Sequence, residues 1–413
     1  MPTRRFTTVH DLRRNHRAEL LSALYVDGPL TRPELSAATG LSAGTVSNVV
    51  NDLIDAGAVV EAGALDSSGG RPRILLRVSP TRGYAIGVSI GPRHIQAGVF
   101  DLAMTELSRI DQPLPAESRD PEQAARQIDA VTDEVIRTAG VDRAQVLGLG
   151  VGVSGVVEHG DEILVSAPTM GWDAVPLARL LQHGRGIPLF IDNGAKNMGQ
   201  AELWFGAGRG AQEAVVALLS SGVGAAIVTH GNVYQGASSS AGEWGHMTVE
   251  VGGRRCGCGA RGCLEAYIGA EAIIDRYRQL TGRRTDPYAD DQTVLAAIVA
   301  AAPDDPEARR VIDETALYLG TGVANLINLI NPERIIIGGW AGLLLGDQIL
   351  PAVREIAREN ALRVPYRDAT IHLAELGVDA AIVGAAALPI AEFLRTGGAA
   401  AQTPAVSGVM IRS

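Results

Sequence analysis

The hydrophobic positions of the chain repeat first with a helical period and then by alternation. Leu20, Leu21, Leu24 and Tyr25 share one face of a predicted helix over residues 14–27, and Gly28-Pro29 ends that run. Thr31-Arg-Pro-Glu34 has the spacing of a capping box with proline in the first turn, so a second helix starts there and stops at Gly40. Ser42 caps a third helix, whose Val46, Val49, Val50 and Leu53 form one apolar stripe before Gly57. Beyond Gly57, Ala-Val-Val-Glu alternates as a strand, residues 67–73 make a glycine-rich tip, and Ile74 to Val78 return as a second strand. Residues 1–80 thus predict a winged helix-turn-helix.

In such a module the start of the second helix of the pair enters the major groove of DNA. Gly44, Thr45, Ser47, Asn48 and Asn51 lie off the apolar stripe and form the predicted base-reading face. Arg71 and Arg73 at the wing, with Arg4, Arg5, Arg13, Arg14 and Arg17 before the first buried turn, are predicted phosphate contacts. Such contacts add affinity and carry no sequence information.

The rest of the chain reads as α/β. Residues 83–112 predict three strands, 121–139 a helix, and 145–153 a buried strand. Gly150-x-Gly152-x-x-Gly155 matches a dinucleotide-binding string, but the residues after it pattern as a hairpin and not a helix, which excludes that reading. A strand-loop-strand follows at 213–228 around Gly222 and Gly224, then a helix over 307–330, a buried strand ending at Gly339, and an alanine-rich helix from Val378 to Arg395. The Gly397-Gly-Ala-Ala-Ala tail has the composition of a flexible segment.

Charge narrows the partners. The net charge is −10, so no nucleic acid can be held by a surface basic throughout, yet the first 82 residues carry ten arginines against eight acidic residues. No apolar run approaching the length of a bilayer span and no signal-peptide pattern are expected, which makes the predicted compartment cytoplasmic, where thiols stay reduced.

That matters for the most distinctive stretch, residues 242–267. All three cysteines of the protein, Cys256, Cys258 and Cys263, fall within eight residues, with His246 ten positions upstream and glycines at 257, 259 and 262. Zinc takes four soft or borderline ligands in a tetrahedron, and glycines let so short a loop turn tightly enough to converge them. His246, Cys256, Cys258 and Cys263 are the predicted ligands of a structural Zn2+, since a catalytic zinc keeps one position open.

The order Gly-Glu-x-Gly-His, then Cys-x-Cys-Gly-x-x-Gly-Cys-x-Glu, resembles the signature of the ROK family of repressors, open reading frames and sugar kinases. The resemblance implies a two-lobed actin-like sugar-kinase fold behind the winged helix-turn-helix. Its lobes would comprise residues 81–192 with the C-terminal helix 378–396, and residues 193–377, leaving 397–413 as a flexible tail. It also implies that Asn193, Glu243, His246 and Glu265 hold the hydroxyls of a sugar. Asp192 is read as a structural strand end, and the winged module matches the extension carried by the repressor branch, including Gly70-Arg71-Pro72.

Two departures decide the activity. The general-base aspartate of the kinases falls on Gly194, and the acidic residue of their first hairpin falls on Ser89, followed by Pro92-Arg93. A positioned base contributes about 10²- to 10⁴-fold in rate. Trp340, at the adenosine side, stands where small residues are common. The expectation is therefore a regulator without catalytic residues: a repressor that senses a sugar or sugar phosphate and binds a palindromic operator as a homodimer or homotetramer. The alternative is an ATP-dependent sugar kinase with an added DNA-binding domain.

Overall fold

A computed structural model describes residues 9–65, 72–114, 120–181, 186–282 and 290–399. The N-terminal module contains α1 (Val9–Val26), β1 (Leu30–Thr31), α2 (Arg32–Thr39), α3 (Ala43–Asp55), β2 (Val59–Leu65) and β3 (Arg73–Val78). Thr31 and Glu34 form the predicted reciprocal capping box, and Gly40 ends α2 at φ 71°, the left-handed conformation that glycine adopts without penalty. Ser42 caps α3 through the Thr45 N–H, and the stripe Val46, Val49, Val50 and Leu53 is buried. The sequence pattern did not reveal β1, which pairs with β3 and makes the wing a three-stranded sheet in the order β1-β3-β2.

The first lobe follows: β4 (Tyr84–Ile90), β5 (His94–Asp101), β6 (Glu106–Pro113), α4 (Pro121–Ala139), β7 (Val146–Val153), β8 (Val156–His159), β9 (Ile163–Ala167), β10 (Trp172–Val175), α5 (Leu177–Leu181) and β11 (Leu189–Asn193). The second contains α6 (Gly194–Phe205), β12 (Ala214–Leu219), β13 (Val223–Thr229), β14 (Asn232–Val233), α7 (Glu265–Ile268), α8 (Ala270–Thr281), α9 (Asp291–Ala301), α10 (Pro306–Ile330), β15 (Arg334–Gly338), α11 (Trp340–Asn360), α12 (Arg363–Asp368) and β16 (Thr370–Leu373). The chain closes with α13 (Ala380–Arg395).

Both main sheets follow one plan. The first runs β11-β7-β4-β5-β6 and the second β14-β13-β12-β15-β16. In each, an antiparallel hairpin supplies the first strands and two later strands add in parallel beside the first of them. The lobes are thus duplicates in topology, although no repeat is visible in the sequence. Each sheet also feeds its own apolar cluster, one around Ile86, Leu149 and Ile128, the other around Val215, Ile335 and Leu319.

A third cluster crosses the modules. Leu20, Leu21, Leu24 and Leu53 of the winged module share it with Ala85 and Phe100 of the first lobe and with Ile382, Ile390 and Phe393 of α13. Gly150 of the rejected dinucleotide string and Gly87 on β4 explain how α13 comes so close: a Cβ at Gly150 would overlap the Ala385 carbonyl, and one at Gly87 would overlap the Ile382 carbonyl. They are packing glycines on parallel strands, each admitting a helix backbone.

The span Gly377–Arg395 corrects the expectation that no run reaches membrane length. It is long and apolar enough by composition, but 72% of it is buried inside the protein, on the first sheet and α6. Gly397 and Gly398, assigned from sequence to the flexible tail, are buried; Arg17 Nε donates to the Gly397 carbonyl at 2.8 Å. Residues 400–413 lie outside the described residues.

Candidate functional site

Four predicted metal ligands converge. One donor atom from each of His246, Cys256, Cys258 and Cys263 lies within 4.8 Å of the others. A tetrahedral zinc with Zn–S near 2.3 Å and Zn–N near 2.0 Å sets S···S edges of about 3.8 Å and S···N edges of about 3.5 Å. The sulfurs of Cys258 and Cys263 are 3.8 Å apart, and Cys256 Sγ is 3.7 Å from His246 Nδ1. The donor set and its spacing fit the ion. Gly259 and Gly262 take φ 93° and 79°, and a Cβ at Gly262 would overlap the Glu250 carbonyl, so the turns need glycine there.

The loop is braced from outside as well. Arg254 Nη2 and Arg276 Nη1 reach the two oxygens of Glu314 on α10 at 2.7 and 2.9 Å. The Arg254 guanidinium also lies over the Tyr267 ring, 4.6 Å from its centroid, and Tyr267 stacks on Tyr318. Burial lowers the pKa of Arg276 to about 10 even with Glu314 opposing it. No local motif marks this brace, because its parts come from three separate helices and the loop.

The predicted carboxylates flank the loop. Segment 242–246 runs against β13: the Gly242 carbonyl accepts from Ala225 N–H at 2.8 Å, and a Cβ at Gly242 or Gly245 would overlap the Ala225 or Val223 carbonyl. Those two glycines deliver Glu243 and His246. Glu265, at the start of α7, accepts from the Val223 N–H at 2.9 Å through Oε2, while its Oε1 lies 3.4 Å from Cys256 Sγ. Burial pushes the Glu243 carboxyl above its ordinary range; His246 and Lys196 pull it down, and Glu265 adds to the rise.

Asn193 stands at the junction of β11 and α6. Its Oδ1 caps the helix through the Ala195 and Lys196 N–H groups, and Nδ2 donates to the Gly155 carbonyl at 2.7 Å. That leaves one amide hydrogen for a further partner. Gly194 follows with open space: a Cβ there would meet only the Val153 carbonyl, at 3.5 Å. Asp192 bonds its neighbour's N–H and pairs with Lys196 at 3.6 Å, the structural part expected of it. Sequence reasoning missed Lys196, which is only 3% exposed.

Across the cleft, Arg93 on the turn after β4 lies 3.7 Å from Asp291 at the start of α9, an ion pair between the lobes. Trp340 opens α11 half-buried against the second-lobe core.

On the winged module, Gly44, Asn48, Asn51 and Arg73 are exposed, and Thr45 and Ser47 partly so. Asn51 Oδ1 accepts from Arg32 at 3.0 Å, and Thr45 Oγ1 bonds the Ser42 hydroxyl at 2.9 Å. Arg71, Arg4 and Arg5 lie outside the described residues. Arg13 is paired with Asp52 and Arg17 is tied to Gly397, so these two are engaged within the chain, whereas they had been expected to face phosphates.

Comparison with known proteins agrees in two pieces. Residues 85–392 match the ROK family and residues 10–66 the MarR family. A putative xylose repressor of Caldicellulosiruptor sp. (strain Rt8B.4) is 30% identical over 371 residues, covering 88% of this chain and 92% of the relative. Among solved structures, a ROK family transcriptional regulator, a homolog of the E. coli MLC protein, superposes with a TM-score of 0.76 at 26% identity, over 94% of this chain and 98% of that one. A ROK family glucokinase from Streptomyces griseus, in complex with glucose and AMPPNP, superposes with a TM-score of 0.62 at 28% identity, over 74% of this chain and 99% of that one.

Proposed function

The chain belongs to the ROK family, and from that premise we propose that it is a sugar-responsive transcriptional repressor whose kinase-like body no longer catalyses. The observation that carries the reading is the course of α6. It begins at the effector residues, with Asn193 as its cap, and ends at Trp204 and Phe205, which pack edge-on against Tyr25 of α1 at 5.3 and 5.8 Å. One rigid element of about 18 Å therefore spans from the sugar pocket to the DNA-binding module.

In this reading residues 1–80 bind operator DNA, with Gly44, Thr45, Ser47, Asn48 and Asn51 on the groove and Arg71 and Arg73 on the phosphates. Glu243 and Glu265 accept hydrogen bonds from the sugar hydroxyls, because a carboxylate oxygen makes the stronger, charge-assisted bond. Asn193 offers its remaining N–H, and His246 its second ring nitrogen. The metal held by His246, Cys256, Cys258 and Cys263 is zinc, which supplies structural order and no reaction. The contact between Cys256 and Glu265 links that order to the pocket.

Sugar binding changes DNA affinity only through unequal affinity for the two arrangements of the winged modules. A paired protein facing a palindrome, as homodimer or homotetramer, supplies the symmetry for that change.

The test selects genomic fragments bound by the purified protein, footprints them, and repeats the footprint with D-xylose, D-glucose and N-acetylglucosamine, and with the 6-phosphates of the latter two. Protection that changes with one of these sugars is expected. ADP release at about one turnover per second, the lower range of kinases, would overturn the non-catalytic reading in favour of the kinase alternative.

A further inference from the structure

Lys196 is a buried ammonium that neither DNA binding nor sugar chemistry requires. It sits in the first turn of α6, where the helix dipole disfavours a cation, and is 3% exposed, where desolvation of a charge costs most. An apolar side chain would avoid both costs. Its donors are all directed: to Gln235 Oε1 at 2.9 Å, to the Ser239 carbonyl, and to Asp192 Oδ1 at 3.6 Å.

Two of those acceptors lie on one short strap, residues 235–241. Its ends are tied by Ala241 N–H donating to the Gln235 carbonyl at 3.1 Å. Ser239 within it has φ 60°, a left-handed conformation that a serine holds only when surroundings enforce it, and its side chain is buried. The strap runs directly into Gly242, fixed against β13, and then into Glu243. The third acceptor, Asp192, ends a first-lobe strand. One ammonium thus ties the end of the first-lobe sheet to the second-lobe strap that delivers the effector carboxylate.

We propose that Lys196 is the positioning residue of the effector site, a clamp whose hold on Gln235 and Ser239 sets the place of Glu243 and with it sugar affinity. This rests on the reading of Glu243 as a sugar ligand. Two of its donors are held by the strap and its charge faces Asp192, so the clamp acts through the strap and does not touch the sugar.

The experiment uses the full chain and two variants, Lys196→Met and the double variant Lys196→Met/Asp192→Asn, which removes the carboxylate charge left unpaired. Three quantities are measured: melting temperature without sugar, titration calorimetry with D-xylose, D-glucose and N-acetylglucosamine, and hydrogen exchange of peptides covering 235–241. The single variant is expected to melt lower. The double variant should recover most of that loss yet bind the responsive sugar about tenfold more weakly, as for one lost charge-assisted hydrogen bond, with faster exchange in the strap. Recovery of both melting temperature and sugar affinity in the double variant would reduce Lys196 to an ordinary ion pair and overturn the clamp. So would unchanged exchange in the strap, which together with weakened sugar binding would mean that Lys196 reads the ligand directly. If the unmodified protein binds none of the sugars, the effector reading fails, and strap exchange still decides the clamp.

Discussion

Replacing Trp204 with alanine should weaken the coupling of sugar to DNA while leaving both binding events intact. Trp204 meets Tyr25 at 5.3 Å and 69°, and Phe205 at 5.9 Å and 83°, both edge-to-face. Only the Tyr25 pair crosses from α6 to α1, and it is worth about 0.5–1.5 kcal/mol beyond the area it buries, which is what the substitution removes from that contact. What remains there is the Tyr25–Phe205 pair at 5.8 Å and Arg209 Nη2 on the Val26 carbonyl at 3.1 Å. Allosteric coupling energies are typically about 1–3 kcal/mol, so the loss is comparable with the lower part of that range. The ratio of operator affinities with and without sugar, read by fluorescence anisotropy, should therefore fall about two- to tenfold toward one. Sugar affinity by calorimetry should stay within about twofold, since Glu243, His246 and Glu265 stand at the far end of the helix, a separation at which effects add independently. Trp204→Phe, which keeps an aromatic edge, should retain most of the response. A Trp204→Ala protein with normal sugar affinity and an unchanged affinity ratio would refute transmission through this contact.

Chelation, or Cys258→Ser, should release one zinc per chain, measured by mass spectrometry of the metal, and should lower both melting temperature and sugar affinity because Cys256 contacts Glu265. Gly194→Asp should fit without strain and still give no ADP release with any hexose, since Ser89 leaves the metal-side acid missing; turnover by this single variant would sink that account. Thr31→Ala removes the cap of α2 and should cost about 0.5–2 kcal/mol in thermal unfolding of the winged module. Glu34, in the same box, has its pKa lowered by the Thr31 backbone N–H and hydroxyl. A depressed carboxylate stabilises the fold above its unfolded value and loses that contribution as pH falls through the folded one. Glu34→Gln should therefore matter near neutral pH and stop mattering in acid, as followed by circular dichroism.

Much of this was legible along the chain because the signals are local. The capping box at Thr31, the stripe on α3 and the glycine stops each involve residues within one or two turns, and the cysteine loop closes over eight residues. What stayed hidden depends on partners distant in sequence. Strand β1 is two residues long and has no pattern of its own; β3 makes it a strand. Arg13 and Arg17 looked like free cations because their partners, Asp52 and Gly397, come from elsewhere in the chain. The duplicated sheet topology was hidden too, because alternation and periodicity constrain which positions are apolar and leave the identities free to differ.

The glycines show why the site was only half readable. Gly150 and Gly242 both exist to let another backbone approach, one from α13 and one from β13, and the string around Gly150 looks the same whether it admits a phosphate or a helix. Gly194 is the opposite case. Its φ is not positive, and a Cβ would meet only one carbonyl at ordinary contact distance, so neither conformation nor crowding demands glycine there. The fold would accept the aspartate that the kinases carry. Packing therefore does not account for the glycine. The buried Lys196 two residues on faces Asp192 and holds the strap that leads to Glu243, and on the proposed reading the same helix start places a ligand where a kinase would move a proton.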